Sequence, residues 1–183
     1  MKNRIVIMTV GKTHSGKTTF AKLLEKHLAN SVIIDQDNHA EFLATHYINL
    51  LPKTASNKLK YGLTQMIVDY VVKESDCHLI LCNSNRNING RTRFLEYYKS
   101  SGFKTVVVYF DIPEEILKDR VTASERSTSI LRTASNFDEV LIRQNLAEVV
   151  EPTKEEADYL FVIKKQQDVQ IIVGEIVKLA QLK

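Results

Sequence analysis

Gly11-Lys12-Thr13-His14-Ser15-Gly16-Lys17-Thr18 decides how the rest of this 183-residue chain is read. The chain has only six glycines, and two of them frame this stretch, with Lys and Thr directly after the second. The apolar, β-branched run Arg4–Val10 precedes it. After it, Phe20, Leu23, Leu24, His27 and Leu28 share one face of an expected helix over Lys17–Ala29. The pattern is therefore G-x-x-x-x-G-K-[ST], set between a buried strand and an amphipathic helix.

That arrangement has a specific chemistry. Consecutive backbone N–H groups can wrap a phosphate, provided glycines allow unusual angles and close approach. The helix that follows points its positive end at the same anion. Lys17 offers a mobile cation to the outer phosphates of a nucleoside triphosphate, and Thr18 a hydroxyl to Mg²⁺. The expected nucleotide-binding set is Gly11, Thr13, His14, Ser15, Gly16, Lys17, Thr18 and Thr19. By average residue frequencies, about one chain in a hundred would contain this string by chance. Far fewer would also place it between a strand and a helix.

Outward from the loop, composition narrows the class. A hydrophobic fraction of 44% and a charged fraction of 26% are those of an ordinary globular domain, which excludes disordered, collagenous and coiled-coil chains. No apolar run approaches the ~18 residues of a membrane span. The start, MKNRIVIMTV, lacks a small-residue cleavage site, so no secretory leader is expected. Cys77 and Cys82 are too few for a disulfide framework and match no zinc spacing, which makes a reducing, cytoplasmic setting the expectation. Residues 1–60 hold nine Lys and Arg against four Asp and Glu. This local excess suits an anionic ligand near the loop but is too weak to indicate nucleic acid.

The remaining pattern alternates strand and helix without repeats or linkers, so 1–183 reads as one domain. Strands are expected at Arg4–Val10, Ser31–Ile34, His78–Cys82, Phe103–Phe110 and Tyr159–Ile163. Helices are expected at His39–Asn49, Thr54–Lys73, Arg91–Ser100 (with Gly102 as its left-handed cap) and Val169–Leu182. Two more begin at Asp111-Ile112-Pro113-Glu114-Glu115 and Asn136-Phe137-Asp138-Glu139. Met66 and its apolar neighbours read as helix core, and Gly174 as a close-packing position. Five apolar strands between helices imply a three-layer α/β/α sandwich on a five-stranded parallel sheet.

With these motifs the chain resembles the P-loop kinases, more narrowly the branch of polynucleotide kinases and zeta-toxin-like kinases. The resemblance carries residue roles. Asp37, in Ile34-Asp35-Gln36-Asp37, matches the carboxylate that activates the acceptor hydroxyl, with Asp35 the alternative. Arg126 and Arg120 match the arginines of a lid over about 122–136, which neutralises charge on the transferring group. Arg132 and Arg143 read as surface residues, and Val150–Glu156 as a structural segment on the adenine side. One departure stands out: the third strand runs Leu79-Ile80-Leu81-Cys82-Asn83-Ser84-Asn85, with no aspartate where the family has one. Metal binding then falls to Thr18 with Asp35 or Asp37. His39-Ala40 stand where polynucleotide kinases keep an arginine, which tilts the expected acceptor towards a small molecule. The resemblance thus implies an ATP- and Mg²⁺-dependent kinase acting on a hydroxyl-bearing acceptor, with nucleic acid possible but not favoured, and no membrane partner. A nucleotide-binding regulatory protein with a degenerate site is the rival reading.

Overall fold

The computed structural model describes residues 4–52, 58–131, 133–147 and 150–181. Arg132, the expected helix start at 54–57 and Leu182, the expected end of the last helix, lie outside them. Five strands, β1 (Arg4–Val10), β2 (Ser31–Ile34), β3 (His78–Leu81), β4 (Phe103–Phe110) and β5 (Tyr159–Ile163), form one parallel sheet in the order β2-β3-β1-β4-β5. β1 lies between β3 and β4, in register Val6 with Leu79 on one side and Thr105 on the other.

The helices are α1 (Lys17–His27), α2 (Gln36–His46), α3 (Lys58–Glu74), α4 (Ile88–Ser100), α5 (Glu114–Thr122), α6 (Phe137–Leu146) and α7 (Gln166–Gln181). Alternation along β1 assigns them to layers. Ile5 and Ile7 pack under α1 and α7, through Phe20, Leu24, Ile172 and Ile176. Val6, Met8 and Val10 pack under α3 and α4, through Val68, Val71, Leu95 and Tyr98. Both faces are covered, which is why the strands read as continuous apolar runs. Arg4 ties the second layer down: its guanidinium donates to Val72 O in the last turn of α3, to Ser75 O just past it and to Ser101 O beyond α4, and lies 4.1 Å from the Phe103 ring centre. It satisfies carbonyls that helix ends leave without partners.

The chain leaves β1 towards β2, returns through β3, then crosses β1 to β4 and β5. The connections diverge at the carboxyl end of β1, the crevice where open α/β sheets hold ligands. A small third cluster, Leu117, Val121, Phe137 and Leu141, joins α5 to α6.

Several expectations are corrected. α2 begins at Gln36 rather than His39, because the Asp35 carboxylate accepts the Asp37 N–H as an N-cap. α4 begins at Ile88, capped by Asn87. Met66 is not core: it is 72% exposed, and α3 buries Thr64, Val68 and Val71 instead. A side chain at Gly174 would meet nothing within 4 Å, so packing does not demand glycine there. Gly102 does adopt the left-handed cap, at φ 83°.

Candidate active site

The two loop glycines do different work. Gly16 sits at φ 99°, where L side chains are strained, and turns the chain into α1. Gly11 has no such backbone, but a Cβ there would stand 2.9 Å from the Phe110 Cβ and 3.0 Å from the Ser15 Oγ. It is glycine because β4 and the loop leave no room. Its N–H donates to Ser84 O at 3.0 Å, which ties the loop to the turn after β3.

Lys17 reaches back across the loop, donating to Lys12 O and, at 3.2 Å, to Ser15 Oγ. Desolvation of the ammonium pulls its pKa down to about 8, against the opposing pull of Cys82 and Asp37. The Thr13 N–H donates to Gln144 Oε1 at 2.7 Å, so α6 supports the loop directly. The sequence reading missed Gln144, and its only signal is its place on the helix that follows the arginine-bearing segment.

On the other wall stand the carboxylates. Asp35 is 2% exposed, and its Oδ2 accepts from Thr18 Oγ1 at 3.4 Å. Burial pushes the Asp35 carboxyl up in pKa, and the Asp37 N–H partly offsets this. Cys82 is the residue at the strand end that faces this pair: its Sγ lies 3.6 Å from Thr18 Oγ1. Burial drives the thiol up to about 12, so it presents a neutral S–H to this pair. Asn83 instead accepts the Gln36 N–H through its side-chain oxygen at 3.1 Å. Asp37 is half-exposed, points towards the opposite wall, and pairs with Arg126 at 2.6 Å.

Arg126 belongs to the segment between α5 and α6, and also lies 5.2 Å from the Phe137 ring centre. Arg120, on α5, donates to His14 O at 3.2 Å and would be 3.8 Å from a side chain at Gly16. Thr19 is exposed on the first turn of α1 and lines the same cleft. The structure thus brings Gly11, Thr13, His14, Ser15, Gly16, Lys17, Thr18, Asp35, Asp37, Arg120 and Arg126 to one end of the sheet. Arg143 stays on the surface, paired with Glu139.

All but Gly11 of that set line a cleft of about 790 Å³, within the range for small-molecule sites. Beyond the loop it is walled by Phe110, Ile112, Lys165, Gln166 and Val169; beyond Asp37, by Asn38, Glu41, Lys60 and Tyr61. Lys165, from the turn after β5, and Gln166, the first residue of α7, were not expected. Of the expected 150–156 segment, Glu156 is structural: it accepts two hydrogen bonds from fully buried Arg91, at 2.5 and 2.9 Å. Glu151 and Pro152 line a separate cavity of about 280 Å³ behind Gly11.

Residues 6–152 match the AAA domain family, most of the chain. No curated protein matches the sequence. Solved structures share the architecture at low identity. A Chloroflexus aurantiacus protein assigned as a kinase superposes with a TM-score of 0.70 at 15% identity, covering 99% of this chain and 98% of that one. Kti12 of Chaetomium thermophilum, solved with ADP-AlF3, gives 0.64 at 16%, covering 96% and 98%. The Mycobacterium tuberculosis APS kinase, solved with AMPPNP and APS, gives 0.57 at 15%, covering 100% of both chains. The parallel sheet, the loop at its switch point and the family match agree: the chain belongs to the AAA domain family and has the P-loop kinase fold.

Proposed function

We propose that the protein is an ATP- and Mg²⁺-dependent kinase that transfers the γ-phosphoryl group to a hydroxyl of a small-molecule or nucleoside-type acceptor. One observation carries this reading: in a single cleft, a phosphate loop with its lysine and threonine faces a half-exposed carboxylate, Asp37, that an arginine has crossed the cleft to meet. The loop amides and Lys17 bind the triphosphate. Phe110, Ile112 and Lys165 extend the same wall for the nucleoside.

The donor set suits Mg²⁺. The Thr18 hydroxyl and the Asp35 carboxylate are hard oxygens that converge, and this ion commonly takes one or two such ligands together with phosphate oxygens and waters. Bound there, it would neutralise charge on the β- and γ-phosphates. Asp37 serves the other half of the reaction. It takes the proton from the acceptor hydroxyl as that oxygen bonds to the γ-phosphorus and the bond to the β–γ bridging oxygen breaks, releasing ADP. A base so placed contributes about 10²–10⁴-fold. Arg126, freed from Asp37, and Arg120 place guanidinium charge over the phosphoryl group, and the segment over about 122–136 acts as the lid. Asp35 is bound up with Thr18 and the α2 cap, whereas the half-exposed Asp37 carboxylate is held across the cleft by Arg126, and we assign the acceptor proton to it.

A nucleotide-binding regulatory role is the second reading, favoured by the neutral Cys82 thiol beside Thr18. Labelled ATP offered with a panel of sugars, nucleosides, aminoglycoside- and phenicol-type compounds and 5′-hydroxyl oligonucleotides separates the readings. The kinase reading expects phosphoryl transfer to a small acceptor. Transfer to oligonucleotides alone makes the protein a polynucleotide kinase, and tight ATP binding with no transfer favours the regulatory role.

A further inference from the structure

We propose that His14 is a positioning residue: its imidazole latches the lid to the phosphate loop through Ser124, so that nucleotide held by the loop fixes where Arg126 stands. This rests on the lid role given above to the segment between α5 and α6. A variable position of the loop would ordinarily hold any small filler. Here the residue has four separate ties. It adopts φ 56°, a left-handed conformation. Its Nδ1 lies 2.9 Å from Thr13 Oγ1, and its Nε2 lies 2.8 Å from Ser124 Oγ. Its ring packs edge-on to Phe137 at 4.9 Å, and its carbonyl accepts from Arg120.

Both neutral tautomers satisfy the two ring contacts, and in one of them the ring accepts from Ser124. Ser124 Oγ accepts the Arg126 N–H at 3.2 Å, so its hydroxyl hydrogen is available to His14 Nε2. Nδ1 then carries the ring proton and donates to Thr13 Oγ1. A neutral ring is what its surroundings favour: burial, then Arg126, Lys17 and Arg120, hold its pKa below the usual value, against Asp138 alone. The relay runs Arg126 backbone, Ser124, His14, Thr13, and the Thr13 N–H itself is held by Gln144 of α6. Ser124, near the start of the lid segment, and Phe137, just past its end, are thus both tied to the loop. Arg126 also stacks over Phe137, the residue His14 touches. Without the latch, Arg126 loses its register over the phosphates, and water gains access to the transferring group.

The test uses Ser124→Ala, which leaves the loop untouched, and His14→Asn, which tolerates the left-handed backbone but falls short of Ser124. Ser124→Thr keeps the hydroxyl. With a non-hydrolysable ATP analogue bound, tryptic cleavage after Arg126 should be roughly tenfold faster in Ser124→Ala and in His14→Asn. It should be no faster in the double variant, and near wild type in Ser124→Thr. In turnover, the ratio of phosphoryl transferred to ATP hydrolysed should fall in the same two variants, and in Ser124→Ala, which lies outside the loop, nucleotide affinity should change little. Wild-type cleavage rates in Ser124→Ala, or single effects that multiply in the double variant, would overturn the latch. If no acceptor is phosphorylated, the kinase reading fails, and the cleavage rates still decide for or against the latch.

Discussion

Lys17 holds its charge against the desolvation of a closed loop, and its pKa of about 8 puts a proton in play near neutral pH. A bound triphosphate demands the protonated ammonium. Binding at pH 9 should therefore take up close to one proton, and at pH 7 only a small fraction of one. Calorimetry in buffers of different ionisation enthalpy measures this directly; uptake that does not grow with pH would assign the shift to some other group. Asp35 makes a second residue-scale case. Its two jobs, capping α2 and facing Thr18, separate by substitution. Asp35→Asn keeps the cap and removes a buried charge whose ionised form is disfavoured, so thermal stability should not fall. The Mg²⁺ dependence of nucleotide binding should weaken all the same. Asp35→Ala should lose about 1 kcal/mol of stability as well, read from denaturant unfolding.

At the scale of elements, the connection from α4 to the segment before β5 depends on one ion pair. Arg91 is fully buried, and besides Glu156 it donates to the carbonyls of Asn85, Arg86 and Val150. Glu156→Gln leaves that guanidinium unpaired and should cost on the order of 3–5 kcal/mol in urea unfolding. Arg91 also holds the Glu156 carboxyl below its usual pKa. The unfolded chain thus binds the proton first, and this stabilisation is complete above the ordinary carboxylate pKa and lost as pH falls through the depressed one. The variant should show a shallower acid slope.

The strands were legible because each is a continuous apolar run, the half-buried edge strands β2 and β5 included. The strand runs needed no partner to be recognised, and only β3 is one residue shorter than read. Helix starts were harder, because a cap is a local hydrogen bond: Asp35 and Asn87 look like ordinary polar turn residues until their N–H partners are seen. α3 shows a different limit. Leu59, Met66 and Tyr70 repeat at helical spacing, yet they face outward. Periodicity reports that a stripe exists; the neighbouring layer decides which stripe is covered.

For the whole molecule, the sheet gathers residues far apart in the chain. The loop motif identified the phosphate end of the cleft because its chemistry is written in consecutive residues. The rest was less visible: His14 meets Ser124 and Asp37 meets Arg126 only because α5 and α6 carry their connecting segment across the carboxyl edge of the sheet. At the end of β3 it is the Cys82 side chain that faces Thr18, while that of Asn83 holds the start of α2. The central claim is that this cleft moves a phosphoryl group with Asp37 as base. Its most direct test measures ATP binding and acceptor-dependent ADP release side by side, in wild type and Asp37→Asn. The account predicts unchanged ATP affinity in the variant and a rate lower by about 10²–10⁴-fold. Equal rates in the two proteins would contradict it.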